Sequence, residues 1–256
     1  MIELVLATNN ESKIKEYRSI LKPYGIEIKT LKDVGVESGI PIMNGKSYEE
    51  NAMIKARAVW DILHVPVIAD DSGLEIDALD GEPGLRTKRF APSEKATDCI
   101  CKKLSGRGLG IIARSATLVC ALCYINAEGT THIIKKKVSG YLDTSGYLAG
   151  DHAKFDGCWP YELFTVHIDS PIRTLSDYDV SFRNAVSHRG LAGAYMAKYI
   201  LSENNAEEHH KMTHEEILDA IDEASNILKN ASNEILQVER IINKIKVENG
   251  GTKNDR

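Results

Sequence analysis

The stretch Val65 to Phe90, VPVIADDSGLEIDALDGEPGLRTKRF, constrains the chain more than any other. A short apolar run, Pro66 to Ala69, delivers two adjacent carboxylates, Asp70 and Asp71, onto a Ser-Gly turn. The cationic residues Arg86, Lys88 and Arg89 follow past a second turn that contains Gly and Pro. Two carboxylates buried side by side call for compensation by a divalent ion, or for one partner to be protonated. Acid at a strand end with base just beyond it suits a metal-phosphate site. The plainer alternative for the same four residues is a solvated Asp-Asp-Ser-Gly turn.

With 256 residues, 43% of them hydrophobic and 27% charged, the chain can bury a substantial core as one large domain or two small ones. A formal net charge of −5 argues against general affinity for nucleic acid or membrane, so anion recognition must come from a local cluster of Lys and Arg. The cysteines, Cys99, Cys101, Cys120, Cys123 and Cys158, are odd in number and lack a framework spacing. Cys120 and Cys123 form a C-x-x-C inside the strand-like run Thr117 to Ile125, where a three-residue offset sends side chains to opposite faces. That favours core thiols over a metal or redox pair and fits a reducing cytoplasm. The amino-terminal MIELVLATNNESK has no basic region, and its apolar run is too short for a signal peptide or membrane span.

Ile2 to Ala7 reads as a strand buried on both faces, broken by Thr8, Asn9 and Asn10. Ser12 to Leu21 then carries Ile14, Tyr17, Ile20 and Leu21 at helical spacing and stops before Pro23. Strand, polar turn and helix start together aim free N–H groups at whatever sits above the strand, a ready site for phosphate. Lys13 and Lys15 oppose the helix dipole there, which an anionic ligand would explain; the glycines of a Walker A loop are missing. Ser47 to Leu63 is a helix with Ser47 as cap and Glu50 at the capping-box position, so Glu50 has a structural explanation as well as a functional one. Ala96 to Leu104 reads as helix. Arg114 to Ile125 and Thr131 to Gly140 read as strands joined at Asn126 to Gly129, and Leu163 to Ile168 as a further strand. Phe182 to Arg189 reads as a polar loop leading into a helix, Leu191 to Leu201, with Ser187-His188-Arg189 at its mouth.

Four separated motifs now stand in order: Thr8-x-Asn10-x-x-Lys13-x-x-Glu16, Glu50-Asn51-Ala52-x-x-Lys55-Ala56, Ala69-Asp70-Asp71-Ser72-Gly73-Leu74 and Ser187-His188-Arg189-Gly190. Together, with the Gly81 to Gly84 continuation of the acidic block, they resemble the inosine triphosphate pyrophosphatase family over residues 1–201. The resemblance implies an elongated, two-lobed α/β fold with a long mixed sheet, a nucleotide cleft between the lobes, and commonly a homodimer. It implies that Thr8, Asn10 and Lys13 hold the triphosphate. Glu50 and Asp71 would bind Mg²⁺ or activate water, with Asp70 in support. Ser72 would touch phosphate, Lys55 with Lys88 or Arg89 would neutralise it, and His188 and Arg189 would read the purine's six-position oxygen. Two departures stand out. The family's aromatic base loop corresponds to Gly157-Cys158-Trp159-Pro160-Tyr161-Glu162-Leu163-Phe164, where the central Asp is lost but Trp159 or Tyr161 is available to stack on a base. The family's Lys before the Ser-His-Arg motif is replaced by Arg183, which keeps charge and changes geometry.

Beyond the family core, residues 202–212 read as a polar linker, 213–246 as an amphipathic helical or coiled-coil extension, and 247–256 as a disordered tail. Ile217, Ile221, Ala224, Leu228, Ala231, Ile235, Val238, Ile242 and Ile245 form the seam. It suits packing on its own domain, extension of a homodimer, or docking of a different protein. The leading expectation is therefore a Mg²⁺-dependent pyrophosphohydrolase of non-standard purine (d)NTPs such as ITP, dITP and XTP. The second is a nucleotide-sensing subunit that binds (d)ITP with slow or absent turnover and regulates an effector through 213–246, as in anti-phage defence.

Overall fold

The structure, a computed structural model, describes residues 2–36, 44–90, 93–105, 114–143, 160–161, 163–166 and 173–204, with backbone alone at 88–89, 93–95 and 105. They belong to the unit Met1–Leu201, save the last helical turn at Ser202–Asn204. Trp159 and most of the altered loop, the seam within 213–246 and the tail 247–256 lie outside the described residues.

Strands β1 (Ile2–Leu6), β2 (Ile26–Thr30), β3 (Val67–Ile76), β4 (Ser115–Ile125), β5 (Thr131–Leu142) and β6 (Phe164–Thr165) form one mixed sheet in the order β2-β1-β3-β4-β5-β6. β1 is parallel to both neighbours, while β3 to β6 run antiparallel. The chain is thus an α/β protein with a mixed sheet, as expected. Side-chain alternation along β1, β3 and β4 divides the core into layers. Leu4, Leu6, Ile68, Cys120 and Leu122 pack with α1 (Glu11–Leu21) and with the helix His188–Asn204 on one face. Val5, Ala7, Val67, Ala69, Val119, Ala121 and Cys123 pack with α2 (Tyr48–Leu63) on the other. Cys120 and Cys123 therefore stand in separate core layers. Two short helices follow β3, α3 (Thr87–Phe90) and α4 (Ser93–Ser105). A third cluster gathers Leu74, Ile76, Leu118, Leu142, Tyr161, Phe164 and Leu175 where β3 has outrun β1.

Two local expectations are corrected. The Ser-Gly pair is no turn: β3 runs straight through it, with Ser72 opposite Cys120 and Gly73 opposite Val119 on β4. Gly73 is there for close approach, since a Cβ would stand 2.6 Å from both the Gly84 carbonyl oxygen and the Tyr48 hydroxyl. The chain turns later, at Asp80 and Gly81, whose φ values are 51° and 84°. Phe182 to Arg189, in turn, is not a loop. It contributes α5 (Val180–Val186) and the start of α6 (His188–Asn204). Asp179 caps α5 by accepting from Phe182 N at 2.9 Å, and Ser187 Oγ accepts from Gly190 N at 3.1 Å, so two short polar side chains begin two helices.

Candidate active site

β1 stops at Leu6 while β3 continues for eight residues past its last partner, Ile68, and this mismatch opens the site. Along β3 the even-numbered residues turn their backbone groups toward β1. Pro66 O and Ile68 O accept from Val5 N and Ala7 N, at 3.0 and 2.8 Å. Beyond β1 the same edge is served by side chains and a turn. Lys55 Nζ donates to Asp70 O at 2.8 Å, Leu74 N to Thr87 Oγ1 at 3.1 Å, and Ile76 N to Glu82 O at 3.2 Å. Ser72 lies between these points, its N–H turned to the same side. The turn after β1 faces this gap: Asn10 N donates to Thr8 Oγ1 at 3.2 Å, and Asn10 Oδ1 caps α1 by accepting from Lys13 N at 3.1 Å.

Because β3 stays extended, the two acidic residues point to opposite faces of the sheet, and each meets its own cations. Asp70, with its side chain fully buried, accepts from Lys13 Nζ at 2.9 and 2.8 Å, from Ser72 Oγ at 3.1 Å and from Arg189 Nε at 3.4 Å. Burial pushes its pKa up, but Lys13, Arg189 and Lys55 outweigh burial and hold the carboxyl well below the usual range. Asp71 accepts from Lys55 Nζ at 2.8 Å and from Asn51 Nδ2 at 3.0 Å, both on α2. Asn51 is itself fixed by Gly45 N, 3.0 Å from its Oδ1. No protonated carboxylate is needed, since lysines supply the compensation.

Arg189 meets Asp70 on its own face of the sheet. Its Nη1 donates to Glu16 Oε2 at 2.9 Å and its Nη2 to Ser72 Oγ at 2.8 Å. Glu16 Oε1 in turn accepts from the Tyr161 hydroxyl at 2.6 Å. Burial opposes the Arg189 charge, and Glu16, Tyr161 and Asp70 overcome it, so the guanidinium is held firmly cationic. His188 is 1% exposed and its Nδ1 has no partner among the described residues. Burial, with Arg189 beside it, pulls the imidazole well below its ordinary 6.5, so it is neutral.

Of the residues singled out in the sequence, Lys13, Lys55, Asp70, Asp71, Ser72, His188 and Arg189 converge, with Thr8 and Asn10 at the rim. Glu50 is exposed at the start of α2, where its N donates to Ser47 Oγ at 3.1 Å and its Oε2 accepts from Lys46 N at 2.6 Å. It acts there as a cap. Tyr161 is 1% exposed and edge-on to His188 at 5.9 Å, so it lies beneath the network instead of presenting an open stacking face. Arg183 sits half-buried on α5, and the side chains of Lys88 and Arg89 lie outside the described residues. Glu16 and Asn51 are the two network residues to which the motifs assign no role. Their signal was helical spacing: Glu16 is one turn after Lys13, and Asn51 one turn before Lys55. Among the described residues no three His, Cys, Asp or Glu gather into a metal cage. The carboxylates of Asp71, on β3, and of Glu50, at the exposed start of α2, are hard-oxygen donors of the kind that hold a divalent cation together with substrate phosphates.

A helix start and an open strand edge, backed by buried Lys–Asp and Arg–Glu pairs, define an α/β protein of the phosphate-handling kind. The Ham1 family model matches residues 4–199, and the chain belongs to that family. A dITP/XTP pyrophosphatase of Dictyoglomus thermophilum is 39% identical over 193 residues, covering 74% of this chain and 89% of that one. One from Bacillus subtilis is 33% identical over 203 residues, covering 78% and 98%. Among solved structures, the Staphylococcus aureus Ham1 protein superposes with a TM-score of 0.61 at 26% identity, over 78% of this chain and 99% of that one. A HAM1 protein from Coxiella burnetii gives 0.62, also at 26% identity, over 79% and 100%.

Proposed function

We propose that the chain hydrolyses non-standard purine nucleoside triphosphates, dITP, XTP and ITP, to the monophosphate and pyrophosphate. The observation that carries this reading is the pair Asp70 and Asp71 at the open edge of β3, each bound to a different lysine. Relatives at 39% and 33% identity that bear the name dITP/XTP pyrophosphatase support the substrate class. In this reading Thr8, Asn10, Lys13 and Ser72 receive the phosphates, and Lys55, with Lys88 or Arg89, offsets their charge. Asp70 stays ionised and serves to hold Lys13 and Arg189 in place, because a carboxyl so strongly acidic is a poor base near neutral pH. Asp71 is the base: it takes a proton from water, whose oxygen bonds to the α-phosphorus while the α–β bridge breaks and pyrophosphate leaves. Mg²⁺, when bound by Asp71 and Glu50, would supply charge neutralisation on the phosphates. His188 and Arg189 would read the purine's six-position oxygen by giving up part of their buried contacts, since His188 is 1% exposed and Arg189 is bound to Glu16 and Ser72.

The test is pyrophosphate release from dITP, XTP and ITP, against dATP and dGTP, with Mg²⁺ and with Asp71→Asn as control. Release by the wild type and a loss on the order of 10²-fold or more in the variant is expected. Wild-type release no greater than that of the variant would sink the hydrolase reading. A sensing role through 213–246 finds no support in the relatives' names, and we do not advance it. We take the working unit to be a homodimer, for which sedimentation should give twice the 28.3 kDa chain mass.

A further inference from the structure

From the bond lengths around Glu16 we infer that Tyr161 is a positioning residue, which orients the Arg189 guanidinium through Glu16 instead of stacking on a base. The inference rests on the hydrolase reading for its kinetic consequence and on geometry alone for the rest. The Glu16 side chain is 9% exposed, and its carboxylate is divided between two donors: Oε1 takes the Tyr161 hydroxyl at 2.6 Å, and Oε2 takes Arg189 Nη1 at 2.9 Å. With Nη1 fixed, the planar fork of Arg189 can point Nη2 only one way, to Ser72 Oγ at 2.8 Å, and Nε toward Asp70 at 3.4 Å. Ser72 Oγ in turn donates to Asp70 Oδ2 at 3.1 Å. The chain Tyr161–Glu16–Arg189–Ser72–Asp70 is therefore continuous and ends at the strand edge offered to phosphate.

Tyr161 is also fixed from behind. Its carbonyl accepts from Ser176 N at 3.3 Å, and Leu163 N closes a turn onto Pro160 O at 3.0 Å. Its ring packs with Leu74, Phe164 and Leu175. Removing only the hydroxyl keeps that packing and leaves Glu16 Oε1 as a buried charged oxygen without a donor. The carboxylate then turns to share both oxygens with Arg189, the bidentate form such pairs favour, and draws the fork away from Ser72.

The experiment compares the wild type, Tyr161→Phe and Arg189→Lys by ¹H–¹⁵N spectra of arginine Nε–H groups and by kinetics with dITP. The Arg189 signal, identified by its disappearance in Arg189→Lys, should shift or broaden in Tyr161→Phe. The value of kcat/KM should fall roughly tenfold through kcat, while the protein stays folded with a modest fall in melting temperature. An Arg189 signal unchanged in Tyr161→Phe overturns the proposal whatever the kinetics. Wild-type protein that releases no pyrophosphate refutes the hydrolase reading, and the spectra still decide whether Tyr161 holds Arg189.

Discussion

Keeping a neutral histidine under the site makes the protein sensitive to acid in a pH range where carboxylates are still silent. His188 is buried, its imidazole faces Arg189, Lys13 and Asp70, and its pKa lies well below 6.5. In the unfolded chain the same imidazole titrates near 6.5. The sign follows: below that value the unfolded state takes up a proton that the folded state refuses, so stability falls as pH falls. Between pH 7 and pH 5 the unfolded form gains a factor of at most about 25 from this one group, or up to about 2 kcal/mol. Urea unfolding of the wild type and of His188→Gln at pH 7, 6 and 5 measures it. The wild type should lose more stability than the variant across that interval, by up to about 2 kcal/mol. The imidazole carbon protons of His188 should titrate well below 6.5 in the folded wild type. Parallel stability profiles for the two proteins, or an imidazole that titrates near 6.5, would refute the reasoning.

Gly73→Ala should destabilise the fold by about 1–3 kcal/mol in thermal unfolding, because its Cβ meets the Gly84 carbonyl and the Tyr48 hydroxyl at 2.6 Å. Lys55→Met should cost about 3–5 kcal/mol, since it strips Asp71 of its ion pair and the Asp70 carbonyl of its donor together. Lys55→Met with Asp71→Asn should recover part of that loss in chemical unfolding.

The elements written in local pattern were legible. Ser47 with Glu50 announced the start of α2, the broken apolar run Ile2 to Ala7 announced β1, and Ile14, Tyr17, Ile20 and Leu21 at helical spacing after that break announced α1. The path of the chain through Asp70 to Gly73 was not. Asp-Asp-Ser-Gly reads as a turn until Tyr48 and the Gly84 carbonyl are seen against Gly73, and those contacts belong to tertiary structure. The same holds for Glu16. Its partners Tyr161 and Arg189 are 145 and 173 residues away, distances over which helical or strand periodicity carries no information. Helix α5 was hidden for a subtler reason: it is only 7 residues long, too short to show an apolar stripe.

The chain Tyr161–Glu16–Arg189–Ser72–Asp70 also sets an order of events during synthesis. Lys13 can meet Asp70 as soon as β3 has left the ribosome, but Arg189 lies 119 residues after Asp70. At about 5–20 residues per second that interval lasts on the order of 6–24 s. During it Glu16, Asp70 and Asp71 share two cations, Lys13 and Lys55, among three carboxylates. The nascent domain therefore carries an unbalanced acidic pocket until α6 emerges, and arrival of that helix, nearly the last part of the unit, neutralises and closes it.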